Sequence, residues 1–301
     1  MRPALPLLCL LFGGCDDPLL PSQHIERLRV LGARVEALDD ASRAWPRPGE
    51  TAHMSWLVAD PTPAPVLGWA FRACVAEPLD RGMPKCRQAP FYEARSTGTS
   101  SALPAFDFPV PQASAFEATD RLIVQGAVCR DAEPLLVEPL EQTSCAGELA
   151  LALMEVRVEL DEEMNTNPAV SADALSFDGA PMVETAPPAE DCSLPGAMTI
   201  ARADGGQHRI VMALSPSDRD ALRALLGPSL ETLLVSHFSS AGSLARAVSV
   251  IEGGSVDLSV AVDWESPHSA PATGMLVRFY FVVRDLRGGV DWSVKRLCVF
   301  P

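Results

Sequence analysis

The 301 residues carry 24 Lys and Arg against 39 Asp and Glu, a net charge of −15, with 48% hydrophobic and 21% charged residues. That composition is globular, and the length suffices for two ordinary domains. So acidic a chain makes a poor partner for nucleic acid or for the anionic face of a bilayer, because repulsion opposes both. The acidic residues lie in short clusters, Asp39-Asp40, Asp161-Glu162-Glu163 and Glu190-Asp191. Solvated loop ends account for them better than a cation site does.

At the start, Arg2 precedes an apolar run from Ala4 to Phe12, and Gly13-Gly14-Cys15 follows directly. A positive start, a short apolar core and small residues are the order of a secretory leader, and the run is too short to span a bilayer as a helix. Phe12-Gly13-Gly14-Cys15 resembles the lipobox of bacterial lipoproteins, with Phe12 standing where Leu is usual. The resemblance implies a signal peptide over residues 1–14, lipidation of Cys15, and a lipidated tether over 15–27. The membrane is then a partner through the lipid anchor, and the cell envelope is the expected location; acyl chains on Cys15 would make the anchoring stable. No later stretch is apolar enough for a transmembrane helix.

Of the eight cysteines, Cys9 falls in the leader and Cys15 at the anchor, leaving Cys74, Cys86, Cys129, Cys145, Cys192 and Cys298. An even number in an oxidising compartment predicts three disulfides. None forms a Cys-x-x-Cys and none has a histidine at zinc-ligand spacing, so neither metal nor cofactor is expected.

Alternation with a period of two dominates the rest, which predicts an all-β chain. Leu28 to Ala37 reads as a first strand that changes phase at Gly32, the mark of a bulge or of a switch between sheets. After the turn Pro48-Gly49-Glu50, residues Ala52, Met54, Trp56 and Val58 share one face. Leu67, Trp69, Phe71, Ala73 and Val75 form the next apolar face, with Arg72 and Cys74 opposite. A Pro-rich stretch of low regularity runs from Glu77 to Ala118 and reads as a contact loop. Leu122, Val124, Gly126 and Val128 then alternate against Gln125 and Cys129, and Met154, Val156, Val158 and Leu160 close the unit.

Pro-Gly-Glu-Thr, an alternating strand ending in Ala-Asp-Pro, and a strand around Gly68-Trp69-Ala70-Phe71 resemble the opening of bacterial immunoglobulin-like and PKD-like modules. The resemblance implies a β-sandwich over residues 28–163, with Trp69 plugging the gap between its sheets. It says almost nothing about activity.

A polar, turn-forming stretch from Glu162 to Pro168 marks the boundary, and a second unit spans 168–301. Val170 to Phe177 begins it, and strands are expected at Arg209 to Leu214, Leu233 to Phe238, Leu244 to Ile251 and Val256 to Trp264. Ser217-Asp218-Arg219-Asp220 reads as a capping box, and Leu222, Leu225 and Leu226 predict one short helix stopped at Gly227-Pro228. Last comes a hairpin: Val277, Phe279, Phe281 and Val283 lead through Arg287-Gly288-Gly289 to Val290, Trp292 and Val294. Arg284 to Gly289 resembles the final hairpin of the same modules. The expected fold is two tandem immunoglobulin-like β-sandwich domains, with one short helix in the second.

Strand phase bears on the disulfides. A core disulfide of the immunoglobulin type needs both cysteines facing inward, whereas Cys74 lies opposite Trp69 and Cys129 opposite Val128. Local bonds Cys74–Cys86 and Cys129–Cys145 are therefore expected, with Cys192–Cys298 pinning a Pro-rich loop to the last strand. The rival connectivity joins Cys74 to Cys129 across the outer face.

Catalytic constellations are scarce. There is no Gly-x-Ser-x-Gly elbow, and the neighbours Ser236 and His237 point to opposite faces of a strand, so they cannot act as nucleophile and base. His24, His53, His208 and His268 show no metal-ligand spacing. Asp257 and Asp263 sit on one strand face, as a solvated outer face produces by default. Trp56, Trp69, Trp264 and Trp292 belong to apolar phases, while Trp45, between Ala44 and Pro46, is the tryptophan expected to be exposed as a ligand contact. The function expected is a non-catalytic envelope module contacting protein or polysaccharide. The alternatives are an accessory subunit of a surface or secretion complex and a hydrolase whose site assembles only in three dimensions.

Overall fold

The computed structural model describes residues 22–62, 64–77, 84–117, 121–160, 164–182, 184, 191–193, 198–215, 221–224 and 227–301. The leader, Cys15, the cluster Asp161-Glu162-Glu163 and the capping-box residues Ser217 to Asp220 lie outside the described residues.

Seven strands form in the first half: β1 (Arg29–Ala37), β2 (Thr51–Ala59), β3 (Leu67–Val75), β4 (Tyr92–Arg95), β5 (Ala105–Pro109), β6 (Leu122–Arg130) and β7 (Leu149–Val156). They make one sheet of order β1-β2-β5 and one of order β4-β3-β6-β7. Between them lies a core of Val35, Met54, Trp56, Leu67, Phe71, Phe108, Val124, Val128 and Val156. These side chains are the alternate residues of each strand, as the pleat requires. The register of β1 against β2 slips between Val30 and Gly32, so the phase change at Gly32 is a bulge. The stretch from Glu77 to Ala118 is not a contact loop throughout, because β4 and β5 extend the two sheets from within it.

The second half adds β8 (Leu175–Phe177), β9 (Ala180–Pro181), β10 (Thr199–Arg202), β11 (Gln207–Ala213), β12 (Ala221–Ala224) and β13 (Gly227–Leu230). After these come β14 (Leu233–Ser239), β15 (Ser243–Leu244), β16 (Val248–Ile251), β17 (Ser259–Glu265), β18 (Met275–Arg284) and β19 (Val290–Phe300). One sheet has the order β10-β19-β18-β14-β16 and the other β15-β17-β11-β8-β9. Their shared core is built on Ile210, Met212, Val235, Val262, Trp264, Phe279, Phe281, Val283 and Leu297. All described strand pairings are antiparallel except β10 with β19, and an isolated parallel bridge joins His24 to Ser239.

Three expectations fail here. Among the described residues the short helix at Leu222 is absent: β12 and β13 pair antiparallel there, with Ala224 opposite Gly227, and Leu225 and Leu226 lie outside the described residues. So short an apolar repeat does not offset the cost of helix nucleation. Leu244 to Ile251 is not one strand but β15 and β16, in different sheets. Val256 is fully exposed and precedes β17, because Ser255 and Asp257 bond locally: the Ser255 hydroxyl donates to the Asp257 carbonyl, and Asp257 accepts from the Ser259 amide. Such side-chain turns compete with a strand ladder.

The two sheet pairs are not separate beads. Leu31, Leu57, Ala59 and Ile25 pack with Tyr280, Val282 and Val290 into a further buried cluster. It joins the outer face of β1 and β2 to the outer face of β18 and β19, so β18 is buried on both faces. Residues expected to end a free tether take part in this. Ile25 is fully buried, and its amide donates to the Ser239 carbonyl at 2.9 Å.

Candidate functional site

The junction between the sheet pairs collects most of the buried polar groups that the separate cores do not need. Its hub is Asp285, at the start of the β18–β19 turn and 2% exposed. One carboxylate oxygen accepts from the amides of Arg287, Gly288 and Gly289 at 2.7, 2.9 and 2.8 Å. The other accepts from the Asn165 side chain at 2.6 Å. Burial pushes the Asp285 carboxyl up from its ordinary value, and these four bonds pull against that rise. The loop can wrap a carboxylate because Leu286 and Gly288 take positive φ, 62° and 116°.

The connecting segment is likewise fixed rather than free. Asn167 donates to the Val35 carbonyl at 2.8 Å and accepts from the Val290 amide at 3.0 Å, bridging both sheet pairs. The Val170 amide bonds to Asp291, which also pairs with Arg34 at 2.6 Å. A polar sequence such as Asn-Thr-Asn-Pro reads as a solvated turn, yet its asparagines are buried at a shared seam, Asn167 bonding strand backbone and Asn165 the Asp285 carboxylate.

Trp45 corrects the expectation of an exposed contact: it is 3% exposed. Its indole N–H donates to the Arg287 carbonyl at 3.0 Å. The Arg157 and Arg287 guanidinium groups lie 4.4 and 5.0 Å from its ring centroid. The loop that carries it is drawn inward by Arg43, which is paired with Glu50 at 3.0 Å and Asp39 at 2.9 Å. Trp69 is half-buried at the edge of the first core, 5.7 Å from Phe106, while Trp56 takes the centre, stacked on Phe71 at 4.5 Å.

Two clefts open at the junction. One, of about 270 Å³, is lined by Asp60, Thr62, Ser101, Arg278, Tyr280 and Arg296 among others. Asp60 and Arg296 are paired: Asp60 accepts two bonds from Arg130 at 3.0 Å, and Arg296 meets Glu184 at 2.6 Å. The other lies toward the β18–β19 turn and consists of two adjoining hollows of about 320 Å³ each, sharing Met154, Arg284 and Val290. Arg121, Arg157, Arg284 and Arg287 line it, against Glu155 as the acidic residue of the lining. Arg284 donates to the Ser236 hydroxyl at 3.0 Å and to the Leu31 carbonyl at 2.6 Å. Among the described residues neither Arg284 nor Arg157 meets a carboxylate.

The remaining residues singled out by sequence are dispersed. Cys74–Cys86, Cys129–Cys145 and Cys192–Cys298 are bonded, with Cα separations of 5.5, 6.3 and 5.7 Å, and the rival Cys74–Cys129 pairing does not occur. His237 is wholly buried against Phe281, with neither ring nitrogen hydrogen-bonded. Burial and the nearby Arg246 lower its pKa to about 4. His53 pairs with Asp107 across β2 and β5 at 2.6 Å, and His208 with Asp178 at 2.8 Å. Burial works against the ionised Asp178, yet bonds from His208 and the Arg209 amide hold its carboxyl below the usual range. Asp263 faces Arg209 at 3.6 Å on the outer surface, and Asp257 lies outside the strand, so the two make no paired site. Among the described residues no three His, Cys, Asp or Glu side chains gather as a metal site. Nor is any described helix long and apolar enough to cross a membrane.

No family model matches the chain, and no curated protein matches it. What supports a function is therefore the chemistry of its own residues. The arginine-lined cleft had a signal in the sequence: Arg278-Phe-Tyr-Phe-Val-Val-Arg284 alternates Phe279, Phe281 and Val283 with Arg278, Tyr280, Val282 and Arg284. A strand apolar on both faces is one covered on both sides.

Proposed function

We propose that the chain is an exported, lipid-anchored cell-envelope protein, built of two immunoglobulin-like β-sandwiches and acting as a non-catalytic binding or structural module. The observation that carries the reading is the order at the start, an apolar run followed by Gly13-Gly14-Cys15. Three disulfides among the described residues support it, since such bonds persist in oxidising compartments. The sandwich reading draws on strand order: β1-β2-β5 faces β4-β3-β6-β7, and β17-β11-β8 faces β19-β18-β14. In both halves consecutive strands also cross between the sheets, β2 to β3 and β5 to β6 in the first, β16 to β17 and β17 to β18 in the second, as in Greek-key sandwiches.

Metabolic labelling with a radioactive fatty acid tests the anchor. The wild-type chain takes up label and fractionates with membranes; Cys15→Ala does neither. Label retained by Cys15→Ala would remove the reading.

A further inference from the structure

We propose that the cleft between β1, β7 and the β18–β19 turn binds an oxyanion, a carboxylate or phosphate group on a small ligand, with Arg284 as the central contact and Arg157 beside it. The inference deepens the binding-module reading and rests on it for its biological sense. A failed titration would remove the cleft as the contact surface and leave acylation at Cys15 untouched.

Charge bookkeeping motivates the assignment. In a chain of net charge −15, this one cleft is lined by four arginines and a single carboxylate, Glu155. That carboxylate lies 4.0 Å from Arg121, on the edge of ion-pair distance. Arg284 is the least compensated of the four. It is largely withdrawn from water, and its two hydrogen bonds go to neutral acceptors, the Ser236 hydroxyl and the Leu31 carbonyl. Burial lowers its pKa from the ordinary arginine value, in the direction expected of a cation without a counter-charge. A guanidinium has five N–H donors in a planar fork matched to carboxylate and phosphate, so donors remain for a ligand.

The site is also held in place. Arg284 ends a strand rather than sitting on a loop, and at the Gly32 bulge the β1 backbone comes close: a Cβ on Gly32 would lie 3.2 Å from Val282 and 3.9 Å from the Arg284 guanidinium. Arg157 is fixed by stacking on the buried Trp45. Trp56, whose buried indole N–H has no hydrogen-bond partner, lines the adjoining hollow. Buried donors left unpaired are costly unless something completes them. The size of the hollows suits a small ligand such as one sugar acid.

Isothermal titration of the full chain in detergent, at low ionic strength, uses glucuronate, inorganic phosphate and glucose as probes. Glucuronate, phosphate or both should bind saturably, and added salt should weaken the binding. Glucuronate alone identifies a carboxylate ligand, phosphate alone a phosphorylated one, and both an unselective oxyanion site. Arg284→Gln should weaken binding about tenfold or more, and Arg157→Gln about threefold, as loss of a charge-assisted contact predicts. Should Arg284→Gln fail to fold, Arg157→Gln carries the test alone. Absence of binding by either anion, glucose binding as well as glucuronate, or wild-type affinity in every folded variant would overturn the proposal.

Discussion

The two ends of the junction start from the same material and finish differently. Both use arginines on the outer face of β18 or its neighbours, next to the apolar patch of Leu57, Tyr280 and Val282. At the end near Asp60 two ion pairs close the cleft, Asp60 with Arg130 and Glu184 with Arg296. At the turn end, Arg284 and Arg157 face a cleft with no carboxylate of their own. A count of arginines therefore does not mark a site. A buried cation already paired is a structural element; one left unpaired beside solvent-sized space is available to something else.

The comparison breaks most visibly if the closed end is not held by its pairs. Asp60 has a fully buried side chain and accepts from Arg130 and from the Thr62 amide. Asp60→Asn leaves Arg130 without its carboxylate, though Glu148 at 2.6 Å compensates in part. The expected loss is about 3 kcal/mol, the low end for breaking a buried pair. Urea unfolding at neutral pH measures it. A loss below about 1 kcal/mol would mean that the closed end is as indifferent to its charges as the surface is.

His237 sharpens the same contrast, because it too is buried without partners but can shed its charge. It follows Ser236, the residue that holds Arg284, and points into the second core instead. Its pKa falls from 6.5 to about 4 in the folded chain. The unfolded chain therefore binds a proton at a higher pH than the folded one does. The stability that this neutral histidine allows is fully present above pH 6.5 and is lost as pH falls toward 4. Between pH 7.5 and 4.5 the loss attributable to it is about 2.5 kcal/mol. His237→Phe should remove that part of the pH dependence, read as the difference between unfolding free energies at the two pH values. An unchanged slope in the variant would show that the ring is not held neutral.

Much of this architecture is legible in alternation alone. The inward faces of β2, β3, β6, β18 and β19 follow from a period of two, and the Gly32 bulge from a change of phase. The disulfides follow from the same phases, since Cys74 and Cys129 point away from the core. Other features hide for identifiable reasons. Strands β4 and β5 have four and five residues, too few to show a period among prolines. Trp45 reads as a loop residue because its hydrogen-bond partner, the Arg287 carbonyl, lies 242 residues along the chain. The second apolar face of β18 and the run Trp56-Leu57-Val58-Ala59 on β2 are present in the sequence, but each is readable as a junction only when the other is known to face it. The Arg284 cleft inherits that difficulty, since it exists only where the two sheet pairs meet.

Arg284→Met gives the smallest expected change and divides the two ends most sharply. Methionine keeps the length and apolar stem of the side chain and removes the charge. Two hydrogen bonds to neutral acceptors are lost, each worth about 1.5–3 kcal/mol when the donor is charged. Against this stands the relief of withdrawing an uncompensated guanidinium from water, a penalty of similar or greater size. The Leu31 carbonyl sits at the Gly32 bulge, beside the cleft, where water can replace the lost donor. The opposing terms leave a net change within about 1 kcal/mol of zero, of either sign. Asp60→Asn, by contrast, removes one of the two carboxylates that hold Arg130 and relieves no uncompensated charge. Thermal or urea unfolding of the two variants under one set of conditions reads the contrast directly. If Arg284→Met lost as much stability as Asp60→Asn, Arg284 would be a structural tie between the sheet pairs, and the open end of the junction would be no different in kind from the closed one.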